Sequence, residues 1–359
     1  MKNVLRFLIL CSGAPSFVGF AAPSATGEHL PSYRSERKIE DTIHTWGSND
    51  MAGLLRAWQR GFRKFHPEVR FADTLKGTET AQAALYTGVA DLVLMDREIL
   101  TLERHVMLRR KHTYPLAIAV ASGSHETANR APAIAVFVHK DNPLTHLTLK
   151  QLDGVFGEQR TGAWDDKFRW HRELARGPEE NIRTWGQLGL TGEWADKPIQ
   201  AYAYPVTNYS PKPGPMLFFR KQVFHGADMW NPNLREYPQG EQITAALGQD
   251  RYGIAYASLA EKTPLVKQLA LAESAGQPPV KLTRANVASR KYPLTRSVYI
   301  SVEPGQLDNP KVKEFLRFVL SREGQRLVAE EGSYLPLTAE EAAAQRKKLQ
   351  AEQGAEATE

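Results

Sequence analysis

The sequence predicts an α/β protein of two lobes built on largely parallel sheets, and three features carry that expectation. Strand-like and helix-like segments alternate from Ile39 to Asp96, the pattern that gives parallel strands joined by crossover helices. The 359 residues exceed what one average domain uses, so two domains, or one large bilobal one, are expected. A polar insert at residues 122–130 separates two apolar runs, Leu116 to Ala121 and Ile134 to Val138, as a crossing between lobes would.

Each element can be read in order. Ile39 to Trp46 reads as a strand and Gly47-Ser48-Asn49-Asp50 as a turn rich in capping residues. Met51 to Phe65 carries Leu54, Leu55, Trp58, Phe62 and Phe65 at helical spacing until Pro67 stops the helix. Val69 to Phe71 is the next strand, Lys76-Gly77-Thr78 a turn, Glu79 to Tyr86 a helix, and Ala90 to Leu94 a buried strand ending at Met95-Asp96-Arg97. Leu149 to Phe156 reads as a short helix, and residues 157–198 as an elaborated loop region anchored by Trp164, Trp170, Trp185 and Trp194. Ile199 to Tyr204 is a strand, 206–215 a Pro/Gly-rich loop, and Met216 to Phe224 the helix it starts. Tyr252 to Ala257 and Val298 to Val302 are further strands, and Pro310 to Glu331 an amphipathic helix pair. Past Leu337 the Ala/Glu/Gln/Lys-rich residues read as a solvated helix fraying into disorder.

Composition narrows the functions. The formal charge of +6 falls to about +4 once Lys2 and Arg6 are removed with a leader. Basic residues are interspersed with acidic ones, and no zinc-finger or RNA-binding pattern is present, so nucleic acid is not an expected partner. A mild positive balance favours an anionic ligand near a cleft. Residues 1–21 read as an export signal: Lys2 and Arg6, an apolar run Phe7 to Leu10, and small residues ending at Ala21-Ala22. Export from the cytoplasm follows. Cys11 is the only cysteine; Leu10 before it is too large for a lipidation box, and a mature chain without cysteine excludes a disulfide scaffold and thiol catalysis. No later stretch approaches the roughly 18 apolar residues that span a bilayer.

Several segments, in this order, resemble one family over roughly residues 39 to 337. They are Gly47-Ser48, Lys76-Gly77-Thr78, Gly88 through Arg97, Leu147 through Gly157, Tyr252 through Tyr256, Tyr292-Pro-Leu-Thr-Arg296, Ser321 through Gln325, and Gly332-Ser-Tyr-Leu-Pro-Leu337. The chain resembles the phosphate-type substrate-binding proteins of ABC transporters. The resemblance implies a two-lobed periplasmic-binding-protein (Venus-flytrap) fold with two hinge crossings, closing on an oxyanion without chemistry. It implies phosphate or a related oxyanion as ligand, an ABC permease as partner, a monomer, and no cofactor. The expected organisation is signal peptide 1–21, disordered linker 22–37, lobe one 38–115 plus 292–337, lobe two 116–291, and polar tail 338–359.

Phosphate stripped of water needs many hydrogen-bond donors, and helix N-termini supply unpaired N–H groups with a partial positive charge. Gly47, Ser48 and Asn49 stand at one such turn, although Ser48, Asn49 or Asp50 could equally serve only to cap the helix. Gly77 and Thr78 form a second turn, where the charge of Glu79 would oppose an anion if it faced inward. Asp96 and Arg97 match the family position where an acid and a base meet the ligand: the carboxylate accepts the proton of a protonated phosphate, and the guanidinium offers a bidentate fork. The bland reading of that pair is an ion pair at a strand end. The third family loop departs from the pattern. Asn208 and Ser210 match its acidic and serine positions, but Val206 stands where an Arg is usual, and prolines, lacking N–H groups, interrupt the Ser-Gly-Thr run. Lys212 could restore the charge, or be an ordinary loop lysine.

Two other classes remain. A hydrolase would need motifs this chain lacks: there is no His-Glu-x-x-His, Gly-x-Ser-x-Gly or Walker loop, and neither His105 with His112 nor His139 with His146 has metal-site spacing. The altered third loop leaves open a family relative that senses or binds partners, or that takes another anion.

Overall fold

The computed structural model describes residues 30–165, 167–206 and 213–350. The expected signal peptide with Cys11 lies outside the described residues, as do Asn208, Ser210 and Lys212. The first unit runs β1 (Thr42–Gly47), α1 (Ala52–Arg63), β2 (Arg70–Thr74), α2 (Ala81–Tyr86), β3 (Leu92–Met95), α3 (Thr101–Lys111) and β4 (Leu116–Ser122). The second holds β5 (Ile134–His139), β6 (His146–Thr148), α4 (Leu149–Phe156), β7 (Ala163–Trp164), β8 (Trp170–His171), β9 (Gln200–Ala203), α5 (Gly214–Val223), β10 (Arg235–Glu236), α6 (Gly240–Leu247), β11 (Gly253–Ser258), β12 (Val266–Gln268), β13 (Ala270–Ala272) and α7 (Arg284–Ala288). The chain then returns through β14 (Ser297–Val302), α8 (Pro310–Val319), α9 (Arg322–Glu331) and α10 (Ala339–Lys348).

Two five-stranded sheets result, ordered β2-β1-β3-β14-β4 and β10-β9-β11-β5-β12. β1 pairs in parallel with β2 and β3, whereas β14 is antiparallel to β3 and β4. In the second sheet β9 pairs in parallel with β10 and β11, and β5 runs antiparallel to β11 and β12. The α/β architecture with two lobes is therefore present. α1 explains its own placement: Leu54, Leu55, Trp58 and Phe62 recur on one face and are buried against Phe315, Phe318 and Val328 of α8 and α9. Burying such a face supplies most of a helix's stability in a protein. The second lobe has its own core, in which Phe219 stacks on Tyr256 at 3.9 Å.

Three expected boundaries are corrected. The exit from lobe one was expected near Leu116, but β4 pairs along its length with β14 in the first sheet, so the crossing follows Ser122. The return was expected near Tyr292, yet Tyr292 and Leu294 are buried in the second core and the first sheet resumes only at Ser297. The tail from residue 338 is not a solvated helix: Ala342 and Leu349 join the first core, Gln345 Oε1 accepts from the Ala119 amide at 3.1 Å, and Lys348 Nζ donates to the Ala117 carbonyl at 3.0 Å. α10 thereby covers β4, the edge strand, as exposed strand edges require.

The expected linker 22–37 also differs over its described part. Leu30 and Tyr33 are buried, and the Pro31 carbonyl accepts from Arg322 N at 3.0 Å. Tyr33 donates its phenol proton to Glu314 and accepts from His66 Nε2 at 2.7 Å, while His66 Nδ1 accepts from the Ile39 amide at 3.1 Å. That chain of bonds requires a neutral His66, whose pKa burial, then the charge of Lys38, lowers to about 4. In the unfolded chain it returns to 6.5, so the unfolded state binds more protons between these values. The contribution to stability is whole above pH 6.5 and is lost as the pH falls. Chemical unfolding at pH 7 and 4.5 should show wild type losing about 2 kcal/mol more than His66→Gln over that interval.

Candidate functional site

The carboxyl ends of β1 and β3 and the loop after β2 converge on one carboxylate. Ser48 donates its hydroxyl to Asp96 Oδ2 at 3.1 Å, and Thr78 donates to Asp96 Oδ1 at 2.5 Å. Both hydroxyl residues are buried, and Asp96 is half-buried. Ser48 precedes the short helical turn Asn49–Met51 that leads into α1, yet it makes no side-chain cap; its hydroxyl is directed to Asp96 instead. The capping role is thus not the one Ser48 plays.

The turns that carry the hydroxyls are locked by backbone. Ser48 N donates to the Leu94 carbonyl at 3.0 Å, and Gly77 N donates to the Gly47 carbonyl at 3.1 Å, so the loops after β1 and β2 hang together beside the end of β3. The amides of Ser48 and Gly77 are consumed in this way. The donors that remain by position are those of Asn49, Thr78 and Glu79, in first helical turns where no intrahelical acceptor exists. Gly47 has φ +116, and a Cβ there would lie 2.2 Å from the Leu94 carbonyl oxygen; only glycine fits. Asn49 is exposed, with its amide 3.5 Å from Asp50 Oδ1.

Arg97 departs from its expected place opposite a ligand. Its guanidinium is buried and grips Glu103 of α3 through both amino nitrogens, at 2.9 and 2.8 Å, with a further bond to the Glu98 carbonyl. Burial acts against its charge, but the hydrogen bonds and charge of Glu103, with Glu79 and Asp96 behind, hold its pKa above the usual arginine value. The fork is therefore spent inside the first lobe, where it ties the end of β3 to the start of α3. Glu79 is largely exposed, with its carboxylate 3.8 Å from Arg97 Nε.

Three residues that the sequence reading did not single out stand around Asp96. Arg296, at the start of β14, is buried and donates to the Asp96 carbonyl at 3.1 Å, while its Nε finds no hydrogen-bond partner among the described residues. A Cβ on Gly214, at the first turn of α5, would lie 2.6 Å from that guanidinium and 3.2 Å from Arg97 Cβ, so a helix N-terminus of the second lobe abuts the first lobe here. Arg130, on the crossing between lobes, lies 3.7 Å from Asp50 Oδ1. Tyr334 donates to the Asp50 carbonyl at 3.1 Å. Burial raises the Tyr334 phenol; Arg130 opposes the rise, and Asp96, Asp50 and Glu331 add to it, which places these charges around one ring. The segment Tyr292 to Arg296 was a sequence signal, but nothing in its spacing told which neighbour the arginine meets. Among the described residues no group of three or more His, Cys, Asp or Glu could hold a metal ion, and no helix is long and apolar enough to cross a membrane.

Two α/β lobes joined by two crossings, with hydroxyls, a carboxylate and arginines gathered at strand ends where they meet, define a two-lobed solute-binding protein. The family model described as the PBP superfamily domain matches residues 32–323. A phosphate-binding protein PstS of Pseudomonas aeruginosa is 30% identical over 94% of this chain and 95% of its own. An ABC-type phosphate transport receptor from Vibrio cholerae (20% identity) and PstS from Borrelia burgdorferi (15%) each superpose with a TM-score of 0.50, covering 82% and 83% of this chain and 100% and 99% of theirs. The chain belongs to the PBP superfamily and, within it, to the PstS family.

The turn geometry yields a test. Gly47→Ala forces a left-handed backbone and a clash, and should lower unfolding stability by about 3 kcal/mol or more. Gly88→Ala, at φ +76 with nothing within 4 Å, should cost only about 1 kcal/mol. Urea unfolding of both variants measures the contrast.

Proposed function

We propose that this protein captures inorganic phosphate in the periplasm and delivers it to an ABC permease, acting as a monomer and without catalysing a reaction. The observation that carries the reading is the convergence of Ser48 and Thr78 on Asp96 at the strand ends. The P. aeruginosa relative, a phosphate-binding protein, supports the same ligand.

In this reading Asp96 holds two hydroxyls in place and accepts the proton of monohydrogen phosphate. Sulfate has no proton to give, so a carboxylate facing it is an uncompensated repulsion and selects against it. Ser48 and Thr78 turn their hydrogens to the ligand once phosphate donates to Asp96. The first-turn amides of Asn49, Thr78 and Glu79 and the positive end of α1 add donors. Gly47 and Gly77 act by backbone alone, letting the turns form. Arg97 positions Asp96 through Glu103, and Arg296 and Arg130 supply the positive charge that Val206 does not. Asn208 and Ser210, matched to the family loop by sequence alone, are taken as the second lobe's contribution. A leader over residues 1–21 provides export.

Titration calorimetry tests the assignment. Asp96→Asn should weaken phosphate binding by about 2–5 kcal/mol, the scale for truncating one member of a buried charged pair, and should narrow the preference for phosphate over sulfate. Ser48→Ala and Thr78→Val should each cost about 1 kcal/mol. A protein indifferent to phosphate, or an Asp96→Asn variant that binds it as tightly as wild type, contradicts the reading.

A further inference from the structure

Away from Asp96, a cavity of about 2070 Å³ opens between α3 with Tyr114 on the first lobe and the β7–β8 hairpin, the turn Arg172–Leu174 and α5 on the second. Ligand pockets commonly occupy about 300–1,000 Å³, so this space far exceeds what inorganic phosphate would fill. The hairpin touches the first lobe: the Phe168 ring meets His105 of α3 at 4.1 Å between centroids. Behind that contact Trp164 and Trp170 pack edge to face at 5.2 Å and remain 58% and 46% exposed.

The wall beside the hairpin carries an uncompensated positive charge. Asp153 is already held by Arg160 in a two-pronged ion pair, at 2.9 and 2.6 Å. Arg176, which also lines the cavity, reaches the same carboxylate only through Nε at 3.4 Å. The nearby carboxylates are taken as well, Glu158 by Arg183 at 3.0 Å and Glu180 by Lys150 at 2.6 Å. Arg176 is buried to 6% exposure, and none of its three guanidinium nitrogens has a hydrogen-bond partner among the described residues. A buried charged group left without bonds is costly, and burial together with Arg160 and Arg183 lowers the Arg176 pKa despite Asp153. A bound anion removes that cost. Arg172 and Lys221, both exposed, add charge at the same cavity.

We propose that this cavity is a second binding site, separate from the one at Asp96, for an organic phosphate with a planar aromatic body: the ring lies against Trp164 and Trp170, and the phosphate engages Arg176. The spacing fits such a ligand. Arg160 and Arg176 form a backbone bridge, and in the adjoining hairpin Trp164, four residues beyond Arg160, pairs with Trp170, six residues before Arg176, separations of at most about 13 and 20 Å at strand rise. A mononucleotide can bridge a separation of this order and a lone oxyanion cannot. Indole faces and guanidinium groups are the side chains that hold aromatic anions, through stacking and charge-assisted bonds.

The test uses the full chain with adenosine 5′-monophosphate as the probe, by calorimetry and tryptophan fluorescence, with and without saturating inorganic phosphate. The nucleotide should bind and quench tryptophan emission in both conditions, and adenosine should bind at least about tenfold more weakly. Trp170→Ala, an exposed position, and Arg176→Gln should each weaken the nucleotide by about tenfold while phosphate affinity stays within about twofold of wild type. The proposal is overturned if the nucleotide does not bind at millimolar concentration, if phosphate displaces it, if adenosine binds as well, or if Trp170→Ala is without effect. Loss of phosphate binding alone would sink the reading of Asp96 and leave this one standing.

Discussion

A carboxylate at the end of a buried strand, surrounded by backbone that consumes most local donors, must find partners or destabilise the fold. Asp96 meets that constraint by drawing in one hydroxyl from each of two other loops. The consequence is geometric: three segments far apart in sequence are fixed to a common point, and the loops carrying them are further joined by the Gly77 to Gly47 backbone bond. Holding donors rigidly in place is what makes recognition of a small anion strong, because little ordering remains to be done on binding. Around this point Arg97 acts as a strut, locking β3 to α3 through Glu103.

The meeting of the two lobes builds on the same spot. Arg296 enters from the return crossing and bonds the Asp96 carbonyl, while the first turn of α5 comes against it from the second lobe. A strand end, a hinge segment and a helix N-terminus thus share one small volume. On the proposed reading, a ligand anchored there couples its capture to the relation between lobes. The residues that shape this junction are not those that build either core; the cores are separate clusters, one around Phe62 and Phe318, the other around Phe219 and Tyr256.

Much of this was legible in the sequence for definite reasons. α1 and the α8–α9 pair announce themselves because their buried residues recur at helical spacing, and α4 has the ends read for it, its start held by Thr148, which caps it with Gln151. Gly47 and Gly77 were legible because positive-φ turns after strands favour glycine. α3 was missed: only Met107 of its residues is buried, so it carries almost no apolar period. Arg97 was read as a ligand because no local pattern reveals that Glu103, one helical turn into α3, would take its fork. Arg296 and the Tyr33–His66–Glu314 chain rest on contacts across hundreds of residues, which propensity and periodicity do not encode. The tail was misjudged because its polar composition masks two anchors, Ala342 and Leu349.

The central claim is that Asp96 and its two hydroxyl partners form the floor of an oxyanion site shared between lobes. A crystal structure determined in the presence of phosphate tests it most directly. The account predicts an anion with oxygens within about 3 Å of the Ser48, Thr78 and Asp96 side chains and in reach of Arg296. Density for phosphate elsewhere, or a cleft that stays unoccupied at millimolar phosphate with Asp96 still closed on its hydroxyls, would contradict it.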